Sequence, residues 1–170
     1  MHRTALTIAL IALAGCTDDP IETCCAATPA DLTQLTHATA CSDTSFHAWS
    51  DDDTVGLSVW LPELLIRADG GDLQESGSLT DLGATIAWET GAQLSSAYCS
   101  DAISAEVASS FVGGTATLDV SVTAAVAPAT SSTGTLVLTD VELHNLDTGE
   151  AIGFPSFTFD ALPIATNWGG

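Results

Sequence analysis

The sequence predicts an all-β fold, an antiparallel β-sandwich or incomplete barrel with one short amino-terminal helix. Three observations predict it. Apolar residues recur with a period of two from Thr54 into the carboxyl-terminal region, as half-buried strands require. Clusters rich in Gly, Asp, Ser and Thr ("ADGGD", "ETGA", "ATSSTG") punctuate that pattern at strand-length intervals. Only one stretch, near Pro29, carries the marks of a helix start.

Taken in order, residues 17–28 ("TDDPIETCCAAT") are polar, contain Pro20 and read as a tether. Thr28 then precedes Pro29, with Asp31 near the positive end of a helix dipole, so a short helix is expected from about Pro29 to Ala38. "SDTSFHAWSDDD", after Cys41, reads as loop or irregular strand. Val55, Leu57, Val59 and Leu61 alternate with Gly56, Ser58 and Trp60 to give one strand, and Leu82, Ala84, Ile86 and Trp88 give the next. Ile103, Ala105, Val107 and Phe111 share one parity, as do Leu118, Val120 and Val122.

In "GTLVLTDVELHNL", Leu136 and Leu138 have one parity while Val141 and Leu143 have the other. A strand that keeps one face buried through such a switch needs an extra residue, so a β-bulge is expected near Thr139 or Asp140. "LDTGEA" reads as a hairpin turn with Gly149 free to take positive φ. The return strand, "IGFPSFTFDALPI", points Phe157 and Phe159 inward, and Pro155 and Pro163 call for an edge position or another bulge.

The front of the chain has a different logic. Residues 5–14 ("ALTIALIALA") carry no charge and follow "MHRT", whose cation is Arg3. A bilayer span needs about 20 apolar residues, so ten form a secretory signal peptide rather than a span. At its end Leu13, Ala14, Gly15 and Cys16 resemble the lipobox of bacterial lipoproteins. That resemblance implies cleavage of residues 1–15, a diacylglyceryl thioether on Cys16 and further acylation such as palmitate, leaving residues 16–28 as lipid anchor and tether before a single domain over residues 29–170. The resemblance covers the leader alone; the body after it resembles no characterised family. Thr17 rather than Asp follows Cys16, which in this class favours the outer membrane, and the absence of twin arginines favours general secretion. Whether the body faces the periplasm or the cell surface is open at this point.

After Cys16 the chain holds one cation, Arg67, against all 22 acidic residues. Such a surface repels phosphate backbones, which excludes nucleic acid as a partner. With 46% hydrophobic residues the chain is nonetheless a folding sequence, not an acidic tail. Four cysteines remain besides Cys16, namely Cys24, Cys25, Cys41 and Cys99, and in an oxidising compartment they read as two disulfides with three connectivities. Neighbours are spaced about 3.8 Å at Cα against a usual 4.4–6.8 Å for a disulfide, so each of Cys24 and Cys25 is expected to pair with Cys41 or Cys99. Zinc held by these cysteines with His37 and His47 is disfavoured, because the adjacent pair lacks zinc-ligand spacing.

Catalytic motifs are missing: there is no G-x-S-x-G, H-E-x-x-H, P-loop or G-x-G-x-x-G, and His37, His47 and His144 are scattered. Asp51 to Asp53 are the cation candidates, but the EF-hand pattern fails at Val55 and Glu63; a calcium site from Asp51, Asp53 and Asp101 is what the carboxylates could otherwise build. No other cofactor is called for. Trp49, Trp60, Trp168 and Tyr98 are candidate ligand surfaces, with Trp60 foremost because its parity opposes the apolar face of its strand. The expectation is therefore a non-enzymatic envelope interaction module on a lipid anchor, with an envelope protein or glycan as partner; a cation- or carbohydrate-binding protein is the first alternative and a spatially assembled enzyme site the second.

Overall fold

One curled sheet of nine strands makes up the computed structural model, which describes residues 27–41, 45–99, 105–126 and 131–165. The strands are β1 (Thr28–Pro29), β2 (Leu35–Cys41), β3 (Ser45–Ser50), β4 (Val55–Trp60), β5 (Leu73–Ser78), β6 (Thr85–Ala92), β7 (Glu106–Thr123), β8 (Ser131–His144) and β9 (Ala151–Ala165). Two short helices, α1 (Leu64–Ala68) and α2 (Leu94–Ala97), sit between strands. No helix among the described residues is long and apolar enough to cross a membrane.

Eight strands lie side by side in the order β1-β9-β8-β7-β6-β4-β3-β2, and β5 pairs with β7 outside that line. All pairings are antiparallel except that of β1, which runs parallel to β9 through Thr28 and Pro29. β1 and β2 stand at opposite ends of the order yet are joined by residues 30–34 alone, a stretch that spans about 20 Å at most when fully extended. The sheet must therefore curl until its edges approach, and β2 comes within 8 Å of β9 at Cα. Of the two architectures expected, the incomplete barrel is the one formed.

The interior is apolar. Phe46 of β3 and Phe159 of β9 meet across it with ring centroids 5.6 Å apart, and both are fully buried. Gly134 of β8 leaves space that Phe46 and Ile164 occupy, since a Cβ there would overlap Cδ1 of Ile164 and stand 2.9 Å from Cζ of Phe46. Leu57, Ile86, Leu118, Leu136, Leu138 and Leu143 complete the same core. At about 25 cal/mol per Å² of apolar area removed from water, these side chains supply the main driving force for closure.

The three long strands change parity together. In β7 the inward residues switch from Phe111 to Ala116 and Leu118 across Gly113 and Gly114, both at positive φ. In β8 they switch from Leu138 to Val141 across Asp140 (φ 52°), so the expected bulge is there. In β9 they switch from Phe154 to Phe159 across Pro155 and Ser156, which face Asp140 and Thr139 of β8, and Ala161 (φ 46°) restores the parity before Ile164. Aligned bulges in adjacent strands fold a sheet over at a corner. The corner also divides the partners of β7, whose first half pairs with β6 and whose second half pairs with β5. Beyond it, the β8–β9 turn is closed by Asn145, whose Oδ1 accepts from the backbone N–H groups of Asp147 and Thr148, and by Gly149 at φ 74°.

Four expectations are corrected. The helix expected over Pro29–Ala38 is a single 3-10 turn, Leu32–Gln34: Asp31 caps it through Thr33, but strand pairing of β2 with β3 takes the chain from Leu35. "SFHAWS", expected as loop or irregular strand, is a regular strand. "ETGA" is not a turn but the end of β6, with a register shift between Thr90 and Gly91. Val107, expected inward, is exposed at the start of β7.

Candidate functional site

Alternation in a half-buried sheet gives every strand a second face, and on β2, β3, β4 and β6 that outer face carries the chemistry. Cross-strand pairing sets it in rows: Cys41, Ser45, Trp60 and Thr85 in one, Thr39, His47, Ser58 and Ala87 in the next, His37, Trp49, Gly56 and Glu89 in the third. Part of this face is covered. α2 and Tyr98 lie over it, pinned at one side by Asp53, whose carboxylate accepts from the Ser95 backbone N–H (2.7 Å) and hydroxyl (2.9 Å). At the other side Cys99 is bonded to Cys41, with Cα atoms 5.3 Å apart.

That pairing differs from the expected one. Cys41 bonds to Cys99 rather than to either of the adjacent cysteines, because β2 pairs with β3 and so places Cys41 beneath the chain that follows α2. Cys24 and Cys25 lie outside the described residues, as do Cys16, Asp101 and Trp168.

Beneath the cover, Tyr98 stacks on His47 with centroids 4.2 Å apart and packs at a tilt against Trp49, which in turn stacks on His37. Gly56 makes room for the phenol: a Cβ there would overlap the Tyr98 hydroxyl. Nδ1 of His47 and Oη of Tyr98 are buried without a hydrogen-bond partner among the described residues. Desolvation accordingly favours the neutral forms. It pulls the His47 imidazole down to about 4. It pushes the Glu89 carboxyl up, and it raises the Tyr98 phenol, helped by the negative charges of Glu89 and Asp53.

Beyond the covered part the same face opens into a groove of about 940 Å³, whose mostly apolar lining, Val59, Leu79, Ile86 and Val112 among it, also includes Trp60 and the polar residues Ser45, His47, Ser58, Thr80 and Thr85, with Gly113 and Gly114 at one side. Trp60 is 50% exposed, the largest side chain of the described residues left so open. The parity argument thus places Trp60 correctly. No Asp, Glu, Lys or Arg lines the groove, although the chain carries 22 acids.

The aspartate turn has separate duties. Asp51 accepts from Thr36 and faces Nε2 of His37 at 2.9 Å, Asp52 accepts from Ser50 and Thr54, and Asp53 holds α2. These hydrogen bonds hold the carboxyls of Asp51 and Asp52 below their ordinary range. Among the described residues, the His, Cys, Asp or Glu groups that converge closely enough for a metal are Cys41, His47 and Cys99, not the aspartates. His144 stands apart, facing Glu142 on β8. Sequence reasoning named His47, Tyr98 and Trp60 without joining them: the shared outward parity of His47 and Trp60 on paired β3 and β4 is the signal that joins those two, whereas Tyr98 follows α2 and reaches His47 only through the tertiary fold. Compared with protein-family models, curated proteins and solved structures, the chain matches none.

Proposed function

We propose that this chain is a bacterial outer-membrane lipoprotein anchored through Cys16, and that its β-domain is a non-enzymatic binding module that takes a neutral saccharide segment in the groove beside Trp60. One observation carries the reading of the domain: in a chain with 22 acids and two cations, the groove around the half-exposed indole holds no charged side chain. An aromatic face flanked by hydroxyls suits a ring that is apolar on its faces and hydroxylated at its edge. Charged polymers are poorer candidates, since anions meet the field of the whole chain and cations find no counter-charge in the groove. The lipobox residues Leu13 to Cys16 support the anchor. Two or three acyl chains, each gaining about 0.8 kcal/mol per buried methylene, would hold the domain on the membrane.

The test is calorimetric titration of the chain carrying Cys16→Ser with soluble neutral oligosaccharides. At least one series should bind, and Trp60→Ala should weaken it tenfold or more without altering the circular dichroism. Absence of binding across the series removes the saccharide reading, and turnover of a bound saccharide that one side-chain change abolishes removes the non-enzymatic one. Labelled palmitate should enter the wild-type chain in cells and not the Cys16→Ser variant. Protease added to intact and then permeabilised cells decides which way the domain faces; a broad-specificity enzyme is needed because Arg67 is the single trypsin site after Cys16.

A further inference from the structure

Three ligand-type side chains that are far apart in sequence meet on the outer face: Cys41 at the end of β2, His47 in the middle of β3 and Cys99 after α2. Their ligand atoms all lie within 4.8 Å of one another. A tetrahedral zinc with Zn–S bonds of about 2.3 Å needs its sulfurs only about 3.8 Å apart, so the three groups are already at coordination range once the sulfurs are no longer bonded to each other. Two further observations suit a ligand set rather than an inert staple. Nδ1 of His47 is buried with no hydrogen-bond partner among the described residues, which leaves that nitrogen available as a ligand atom. Cys99 is exposed and held at φ 58°, a conformation that costs an L-residue about 1–2 kcal/mol, and exposed bridges are the ones open to thiol exchange.

We propose that the Cys41–Cys99 disulfide is a redox gate on a Cys2His zinc site completed by His47, with the fourth coordination position turned toward the groove that His47 also lines. The reductant is a dithiol of the thiol–disulfide oxidoreductase class. Its thiolate attacks the sulfur of Cys99, the more exposed residue of the pair, and Cys41 leaves as thiolate; the second thiol then resolves the mixed disulfide. Two electrons pass to the protein, the dithiol becomes a disulfide, and Cys41 and Cys99 become thiols. Zinc then replaces the two thiol protons, binding two thiolates and the imidazole in a site of zero net charge. The acidic field of the chain favours approach of the cation. Three protein ligands with one open position is the pattern of a site that takes an exogenous ligand.

The experiment uses the full chain with Cys16, Cys24 and Cys25 changed to Ser, so that Cys41 and Cys99 are its only cysteines. After reduction with a phosphine, zinc is titrated against a chromophoric chelator, and cobalt(II) is added separately to read the thiolate-to-metal charge-transfer band. One equivalent should bind with that band present, the oxidised protein should show neither, and His47→Ala should weaken binding 10- to 100-fold while keeping the β circular dichroism. If the reduced chain unfolds, refolding by one equivalent of zinc supports the site, and failure of zinc to refold it overturns the proposal. Binding of zinc equally by oxidised and reduced protein assigns it to surface carboxylates, and equal binding by reduced His47→Ala leaves it to the thiolates without the imidazole; either result overturns the proposal.

Discussion

Acid should destabilise the disulfide-bonded protein through His47 before any carboxylate contributes. The imidazole takes its proton near 6.5 when unfolded and at about 4 in the fold, where burial against Tyr98 disfavours the cation. Between those values the unfolded chain binds a proton that the native chain does not, so stability is complete above about pH 6.5 and falls as pH drops toward 4. Linkage puts the loss at about 1 kcal/mol by pH 6 and about 2 kcal/mol by pH 5, relative to pH 8. Glu89, whose carboxyl burial raises, acts in the opposite sense. The assay is urea unfolding of the oxidised protein at pH 8, 7, 6 and 5, beside His47→Phe, which keeps a ring on Tyr98 and removes the titration. Exposed His37 and His144 remain in both proteins and cancel in the comparison. A wild-type midpoint that is the same at pH 5 and pH 8, or a His47→Phe variant that loses as much as the wild type, would refute the reasoning.

Replacing Cys41 and Cys99 together by Ala should cost about 4 kcal/mol in the chain-entropy model for their separation of 58 residues, read from the urea midpoint; a loss below about 1 kcal/mol would mean that the bridge restrains little of the unfolded chain. Two glycines at nearly the same φ should respond unequally to Ala. At Gly149 (φ 74°) nothing lies within 4 Å of the added Cβ, and the cost is that of the backbone, about 1 kcal/mol. At Gly114 (φ 76°) the Cβ would overlap the Glu142 carbonyl, adding overpacking for a total of about 3 kcal/mol, and equal thermal shifts for the two variants would contradict this. Arg67 joins α1 to β5 through Nε and a second guanidinium nitrogen on the Glu75 carboxylate, half-buried, and also donates to the Pro62 carbonyl. Arg67→Ala should cost about 2 kcal/mol and Arg67→Lys should recover less than half, since an ammonium lacks the planar fork.

What was legible in the sequence is what one strand can state by itself. β4 and β6 announce themselves by alternation, and the Asp140 bulge follows from the parity of Leu138 and Val141. β5 could not be read so, because "LQESGS" pairs at one edge of β7 and contributes few apolar side chains. β2 was hidden by a true local signal: Asp31 does cap a turn, but pairing with β3 outweighs helix propensity after three residues. The site was legible in its parts only. Trp60 on the outer face needs one strand, whereas bringing Cys99 to Cys41 and Tyr98 to His47 needs the β2–β3–β4 register and the position of α2, both non-local.

The groove is a consequence of how the sheet solves its own packing problem. β7 must present Phe111 and then Leu118 to one core, and residues of opposite parity can do so only if the strand gains a residue between them. Gly113 and Gly114 supply it at φ 69° and 76°, which any other residue would resist. Having no side chains, they also leave bare backbone where the outer face of β6 meets the corner, and around Gly113 nothing stands within 4 Å of where a Cβ would be. Trp60, two strands away in the order, lines the same groove and is half exposed. The glycines that let the barrel turn its corner also line the groove that holds the indole.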